Sequence, residues 1–425
     1  MIWNRRFFYV VIICCLFIIS SLSTLWAAES DTARLINLLK SKNIIDQKEA
    51  DQLLQEVKES AQKEQKEKEE IKAAAKGAVL PDVLKGLKFS TTIFAEWNSK
   101  NLNDAAATNE FNVNRTYLTL SKDINDWLGM SATTDIFTSK DSADKGNGLE
   151  VRLKYAFATL KLFGTETKLG MIGTPPDAYD SSIWPFRVQG KNMWDDLGIQ
   201  PSTDVGISNQ GVFGGYMDDE YLKFASKPFA GKWGGYSIGI FNGSGYTVGE
   251  NNGNKVVSGM LYVRPLPSVP VLKGLQIAYA GTYGKSNETF SAPAPTGKLT
   301  TDYPDCTSNA VQLSLQHKLF TVMGQYYWGE STATAKDEND RKSCLLEAFL
   351  RIPGIEKTRI FGRYLYFDQN TDVDQDEWNR VTAGIAYDMF KEFMPFVAYE
   401  KKTFDTNTAT NKDYDQFQVG FQLKF

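Results

Sequence analysis

The sequence is poor in the residues that carry metal and redox chemistry. Its 425 residues hold one histidine, His317, and four cysteines. Cys14 and Cys15 lie in an apolar run near the N-terminus, which leaves Cys306 and Cys344 for the rest of the chain. No Cys-x-x-Cys-His occurs, which excludes the usual covalent haem attachment, and two cysteines are too few for a thiolate-rich zinc or iron–sulfur centre. No metal or other cofactor is expected. After the first thirty residues no apolar run reaches the about 20 residues of a membrane-spanning helix. Charge of one sign is also lacking: the net charge is −4, which points to no nucleic-acid partner. A mean hydropathy of −0.33 leaves a membrane barrel open, because only alternate strand residues of a barrel face lipid.

The N-terminus has the form of a secretory signal. Arg5 and Arg6 precede "FFYVVIICCLFIIS", and small residues follow at "WAAES", so cleavage after Ala27 is expected and residues 1–27 are read as a signal peptide. Residues 28–80 lack aromatics beyond that point and place apolar residues at helical spacing, Leu35, Leu38 and Leu39, then Leu53, Leu54 and Val57. Asp46 with Glu49 reads as a capping box that starts a second helix. The charged stretch from Glu59 to Lys76 is either a solvated helix or a flexible linker. In an exported protein Cys306 and Cys344 either form a disulfide or stay as two thiols.

From residue 81 to 425 the texture is β. The chain ends "FQVGFQLKF", in which Phe417, Val419, Phe421, Leu423 and Phe425 alternate with polar residues or glycine. "LEVRLKYAFATL" puts Leu149, Val151, Leu153, Tyr155 and Phe157 on one side and Arg152 and Lys154 on the other. The pattern predicts sixteen strands, one of them near 219–228, or eighteen if 203–213 also pairs with the sheet. Short connections such as "KDIND", "FGTE", "AGKW" and "PGIEK" alternate with long polar ones such as "SKDSADKGNG" and "GSGYTVGENNGN". That alternation is the mark of an up-and-down transmembrane barrel, and a soluble sandwich has no reason for it. The expected fold is therefore all-β: a sixteen-stranded antiparallel transmembrane barrel behind a short periplasmic helical segment, inserted in an outer membrane. Trp97, Tyr117, Trp127, Tyr155, Tyr283, Trp328 and Trp378 fall near strand ends, as interfacial girdles would. Phe425 is read as the terminal signal for the barrel-assembly machinery.

Sixteen strands leave an aqueous channel. The connection 175–218 is long and aromatic, so it is expected either to fold into the pore through Trp184, Phe186 and Trp194 or to form a flap or extra strand. Folded inward, it sets Asp177, Asp180, Asp195 and Asp196 against Arg187 and Lys191, and opposed charges at a constriction sort solutes. Strand parity places Arg152, Lys154, Lys168, Arg359 and Arg363 on the lumen wall together with Asp135, Glu96, Glu347 and Glu400. The signs are mixed, so ion selectivity is not legible. His317 falls in the short turn "QHKLF" and reads as an exposed turn residue. No catalytic residue is assigned and no enzyme is expected.

Several stretches in order carry a family resemblance. "FNVNRTYLTLSKDINDWLGMSATTDI", "LGMIGTPP", "YSIGIFNGSG", "NNGNKVVSGMLYVRPLP" and the closing "RVTAGIAYDM", "FVAYEKKT" and "FQVGFQLKF" resemble the phosphate-selective porin family of Gram-negative outer membranes. "LINLLKSKNIIDQKEADQLLQEV" resembles the periplasmic segment that often precedes such barrels. The resemblance implies a sixteen-stranded, homotrimeric pore. Where the family's early strand carries paired basic residues, this chain has Arg115 after Asn114, so phosphate selectivity is not carried over. Three expectations stand: a passive porin for small hydrophilic solutes or ions, a specific anion channel, and a sheath around a cytochrome partner that would bring its own haem.

Overall fold

The computed structural model describes residues 84–425 except 104–106, 139–147, 290–302, 331–336 and 409–410, and some positions between 40 and 66. The expected signal peptide and most of the helical segment lie outside the described residues. The chain divides into two units, Met1–Lys85 and Gly86–Phe425. In the first, Glu49 N–H donates to Asp46 Oδ1 (2.8 Å) and Asp46 N–H to Glu49 Oε2 (3.0 Å), which is the reciprocal capping box.

The second unit is a closed antiparallel barrel of sixteen strands among the described residues. They are β1 (Leu87–Leu102), β2 (Thr108–Asp123), β3 (Leu128–Thr138), β4 (Leu149–Leu162), β5 (Thr165–Gly173), β6 (Thr203–Phe213), β7 (Gly234–Phe241) and β8 (Val256–Val263). The circle continues with β9 (Leu275–Lys285), β10 (Asp305–Gln316), β11 (Phe320–Glu330), β12 (Asp340–Ile352), β13 (Ile355–Asp368), β14 (Trp378–Tyr387), β15 (Phe393–Phe404) and β16 (Tyr414–Lys424). Each strand pairs with its sequence neighbours, and β16 returns to β1 with Ala95 opposite Phe421 and Trp97 opposite Val419. The last bonds of that seam run between Phe425 and Thr91, at 2.6 and 3.0 Å.

Period-two alternation turns the barrel inside out relative to a soluble protein. Ile207, Ile238, Leu261, Leu313, Leu346 and Ile385 stand exposed on the outer face, while Ser208, Ser237, Ser258, Gln312 and Thr382 are buried on the inner one. Of the aromatic residues expected at strand ends, Trp127, Tyr283 and Trp328 are exposed outside, and Trp97 packs edge-on to Phe417. Tyr117, Tyr155 and Trp378 instead point inward.

Two expectations about strands are corrected. Residues 219–228 are not a strand: they form a one-turn helix at Asp219–Leu222, capped by Asp218, followed by a short 3-10 turn at Lys227–Phe229. Pro228 has no N–H for a ladder, and Gly214 and Gly215 take positive φ where the preceding strand ends. The place in the sheet belongs to 203–213, so the count is sixteen and not eighteen. Tyr155 and Phe157 do not share a face with Leu153. A β-bulge leaves Lys154 unpaired between Leu153, opposite Thr134, and Tyr155, opposite Thr133, and it reverses the parity of the rest of β4.

Cys306 is buried on the inner face of β10, and Cys344 is exposed on the outer face of β12; both are free. Side chains on opposite faces of a sheet, with a strand between them, cannot reach the about 4 Å between Cβ atoms that a disulfide needs. Of these two thiols, a membrane-soluble maleimide is expected to label Cys344 alone in the folded protein and both after denaturation. Equal labelling in the native state, or a non-reducing gel shift, would contradict this placement.

Candidate functional site

The connection from β5 to β6, residues 174–202, turns into the barrel. Its neck is tied where Thr174 N–H donates to Ser202 O (3.2 Å) and Thr174 Oγ1 to Pro201 O (2.9 Å). The first helix, α1 (Pro175–Ile183), opens on two prolines, and Pro175 lacks the N–H that a first turn leaves unpaired. Asp177 sits in that first turn, near the positive end of the helix. A second helix, α2 (Met193–Asp196), is capped by Asn192, whose side chain accepts from Asp195 N–H (3.1 Å).

The aromatic residues of the connection bury themselves against the wall. Phe186 is wholly buried, stacked on Phe361 at 4.3 Å and edge-on to Phe349 at 5.4 Å, with the Arg359 guanidinium 4.9 Å from its ring. Trp184 joins the same cluster, and Trp194 packs edge-on to Tyr327. Polar contacts lock the outer turn in place. Arg363 donates to Lys191 O and pairs with Glu347 (2.9 Å), Arg380 pairs with Asp196, and Gln189 donates to Glu400 (3.1 Å) and Gln418 (3.3 Å). Charges covered this way must be paired, because an uncompensated buried charge costs several kcal/mol.

The expected constellation therefore splits in two. Asp195 accepts from Arg187 (2.7 Å) and Lys191 (2.9 Å), and Asp177 accepts from Asn192 (2.8 Å) on the open side of the connection. Asp180 and Asp196 do not face these cations. Asp196 turns to Arg380, and Asp180 is buried on the wall side, where desolvation and then nearby Glu347 push its carboxyl well above the usual range. Burial and then the neighbouring Asp195 also raise Asp177, to about 6, against the pull of Arg187 and Lys154. Arg359 and Arg363 face inward as parity predicts, but they sit beneath the connection and hold it. They do not line open space.

The open side is walled by β2 to β7. Asp135, fully buried, accepts from Arg115 and also from Arg152 (2.9 and 3.0 Å). Arg152 lies 4.0 Å over the Phe137 ring and 4.7 Å from the Tyr246 ring, and it donates to Tyr246 Oη (3.1 Å). Lys168 pairs with Glu166 at 3.4 Å. Lys154, only 5 % exposed, donates to Tyr117 Oη (3.3 Å) and has no carboxylate within ion-pair distance among the described residues. Two bulges make this patch. Asn114 is skipped between Val113 and Arg115, so those two residues face opposite sides although they are two apart, and Lys154 is skipped in β4.

Between this wall and α1 lie two adjoining spaces. One of about 280 Å³ is bordered by Tyr117, Lys154, Tyr155, Asp177, Ser181 and Arg187. The other, of about 260 Å³, is bordered by Ser131, Lys168, Ser208, Gln210 and Ser237 among others. The sequence pattern did not single out Tyr246, Phe137 or Arg380. A signal for Tyr246 was present in "IFNGSGY": Asp204 accepts from Gly243 N–H (2.7 Å), Gly243 and Gly245 take positive φ, and the turn delivers Tyr246 to Arg152.

A closed sixteen-stranded barrel with an inward-folded connection is the architecture of the porin class. No family model matches the sequence, and no curated protein matches it. Solved structures do. An anion-selective porin from Comamonas acidovorans aligns with a TM-score of 0.56 at 14 % identity, covering 80 % of this chain and 99 % of that one. OmpF of Salmonella typhi, in complex with daunomycin, aligns at 0.54 and 13 %, covering 80 % and 97 %. The trimer form of OmpT, an outer membrane protein of Vibrio cholerae, aligns at 0.50 and 13 %, covering 80 % and 99 %. The likeness holds for the fold, and it does not reach the phosphate-selective type.

Phe186→Ala removes a buried ring, at a cost of about 3–5 kcal/mol, from the contact that docks the connection. Trypsin is then expected to cut after Arg187 or Lys191 while the barrel stays folded. Unchanged resistance in the folded variant would show that other contacts suffice.

Proposed function

We propose that the chain is an outer-membrane porin passing small hydrophilic solutes and ions by passive diffusion. The observation that carries this reading is a closed barrel, apolar outside and polar inside, whose lumen holds residues 174–202 and keeps two adjoining spaces open beside β2 to β7. Insertion by the barrel-assembly machinery, with Phe425 as its signal, and assembly as a homotrimer belong to the same reading; a structural neighbour described as a trimer supports the latter. An enzyme is disfavoured by the chemistry at hand. His317 lies in the turn between β10 and β11, where its ring packs on Phe320 and its Nδ1 accepts from Leu319 N–H. A cytochrome sheath is disfavoured because the connection occupies lumen that such a partner would need.

A specific observation favours a preference for anions within this reading. On the open side two arginines share Asp135, Arg187 and Lys191 share Asp195, and Lys154 has no carboxylate within ion-pair distance among the described residues. Of the four acids expected at the constriction, Asp180 and Asp196 are used elsewhere, on the far wall. Phosphate as the particular anion is the narrower version, and competition by phosphate for chloride current tests it.

In planar bilayers under a salt gradient, the reversal potential is expected to show anions passing more readily than cations. One charge about 5 Å from an ion in water is worth about 0.8 kcal/mol, roughly fourfold in that ion's population, so Lys154→Glu, which changes the charge by two, should lower the anion-to-cation ratio by well over fourfold. Asp177 carries charge above its pKa of about 6 and loses it below. The ratio should therefore rise as pH falls from about 8 to 5, and Asp177→Asn should start high and flatten that rise. A wild-type protein that forms no ion-conducting channel would overturn the function itself.

A further inference from the structure

On the rim of short turns the longest connection joins β6 and β7. The rim's other connections include the two-residue turns at 163–164 and 353–354, whereas this one spans residues 214–233. A barrel needs no such length to pass from one strand to the next. The segment folds on itself around Met217, Tyr221 and Ala230, with Leu222 and Phe224 packed beside them. It is anchored by Arg264, which extends from the end of β8 and is 1 % exposed. Arg264 donates to Gly231 O (3.1 Å), Tyr221 Oη (2.8 Å) and Lys273 O (2.9 Å), and its guanidinium lies 4.7 Å from the Tyr221 ring. No carboxylate pairs with it among the described residues, so this buried charge is held by main-chain carbonyls and by the hydroxyl and ring of Tyr221.

The segment then reaches α1. Phe229 meets Tyr179 of α1 edge-on at 5.3 Å, and both rings pack on Tyr262 of the wall, at 6.4 and 5.6 Å. A polar path runs alongside. Tyr179 Oη donates to Gln276 Oε1 (3.3 Å), while Gln276 Nε2 (3.0 Å) and Tyr221 Oη (3.3 Å) both donate to Gln316 Oε1. Thus α1 descends from the long-loop mouth, the 214–233 segment rises from the other, and the two meet inside the barrel. The opposite side of α1, at Asp177, Ala178 and Ser181, borders the open space.

We infer that residues 214–233 are a buttress that fixes α1 against the wall and so sets the bore of the passage, with Arg264 and Phe229 as its positioning residues. The inference rests on the channel reading for its consequence, and on geometry alone for the docking. It is tested in the full-length protein carrying Cys344→Ser and Ile183→Cys, a position of α1 that is buried while the helix is docked, by labelling with a membrane-impermeant thiol reagent and by single-channel conductance. Phe229→Ala and Arg264→Met are expected to speed labelling about tenfold, equivalent to about 1.4 kcal/mol lost from the docked state, and to raise the conductance. Phe229→Leu, which keeps an apolar contact, and Lys273→Ala, which removes only the outlying pair with Asp218, should behave as the parent. Heat-modifiable gel mobility checks that each barrel is folded. Should Arg264→Met fail to assemble, Phe229→Ala carries the same expectation with the anchor intact. Folded variants with parental labelling and conductance would overturn the buttress. A parent that forms no channel would sink the channel reading, yet its labelling rates would still decide the docking.

Discussion

Everything in the second unit depends on the bonds between β1 and β16. In hydrocarbon a backbone amide finds no water, so a sheet with a free edge would leave a row of unpaired groups, each costing several kcal/mol. The seam from Leu102–Tyr414 to Thr92–Lys424, finished by Phe425 on Thr91, removes that edge. Once the sheet is closed, the strand period leaves little choice. Every second residue meets lipid and every other one meets the interior, which is why Ile207 and Ser208, or Leu313 and Gln312, can differ so sharply side by side.

Strict alternation also limits what a wall can present. Successive side chains cannot both enter the lumen, and residues two apart are forced onto one face. The two bulges in β2 and β4 break this rule where the basic patch is built. Skipping Asn114 lets Val113 face out and Arg115 face in, and skipping Lys154 brings it and Tyr155 into the lumen together. Bulges cost a ladder bond, but here they place cations and rings in one quadrant that a regular ladder would have scattered.

The same physics decides how much could be read in the sequence. Closure, strand count and the rhythm of short and long connections were legible because they rest on a period of two and on turn residues. The sixth strand was misplaced because "TDVGISNQGVF" carries Gly206, Gly211 and polar side chains that blur the alternation, while "YLKFASKPF" mimics it. Side assignments failed after Leu153 because a bulge has no mark in composition. Asp180 and Asp196 could not be separated from Asp177 and Asp195 by spacing, since α1, the turn after it and α2 point them in different directions. Arg359 and Arg363 were placed on the correct face, but parity is silent about what covers a face.

That cover explains the chemistry of the far wall. A lumen wall of apolar residues under the connection would have docked it without buried charges. Such strands would be apolar on both faces, however, and a slip of one residue would then cost little, so register would be poorly specified. Polar and charged residues on the inner face of β12 to β15 keep the two faces distinct. The connection must then meet them with polar groups of its own, which is what Asp196, Gln189 and the Lys191 carbonyl supply to Arg380, Glu400 and Arg363. Phe186 and Trp194 add apolar area where the wall offers rings. The requirement that each strand know its inside from its outside thus dictates how the barrel is filled, and the space left open lies beside β2 to β7.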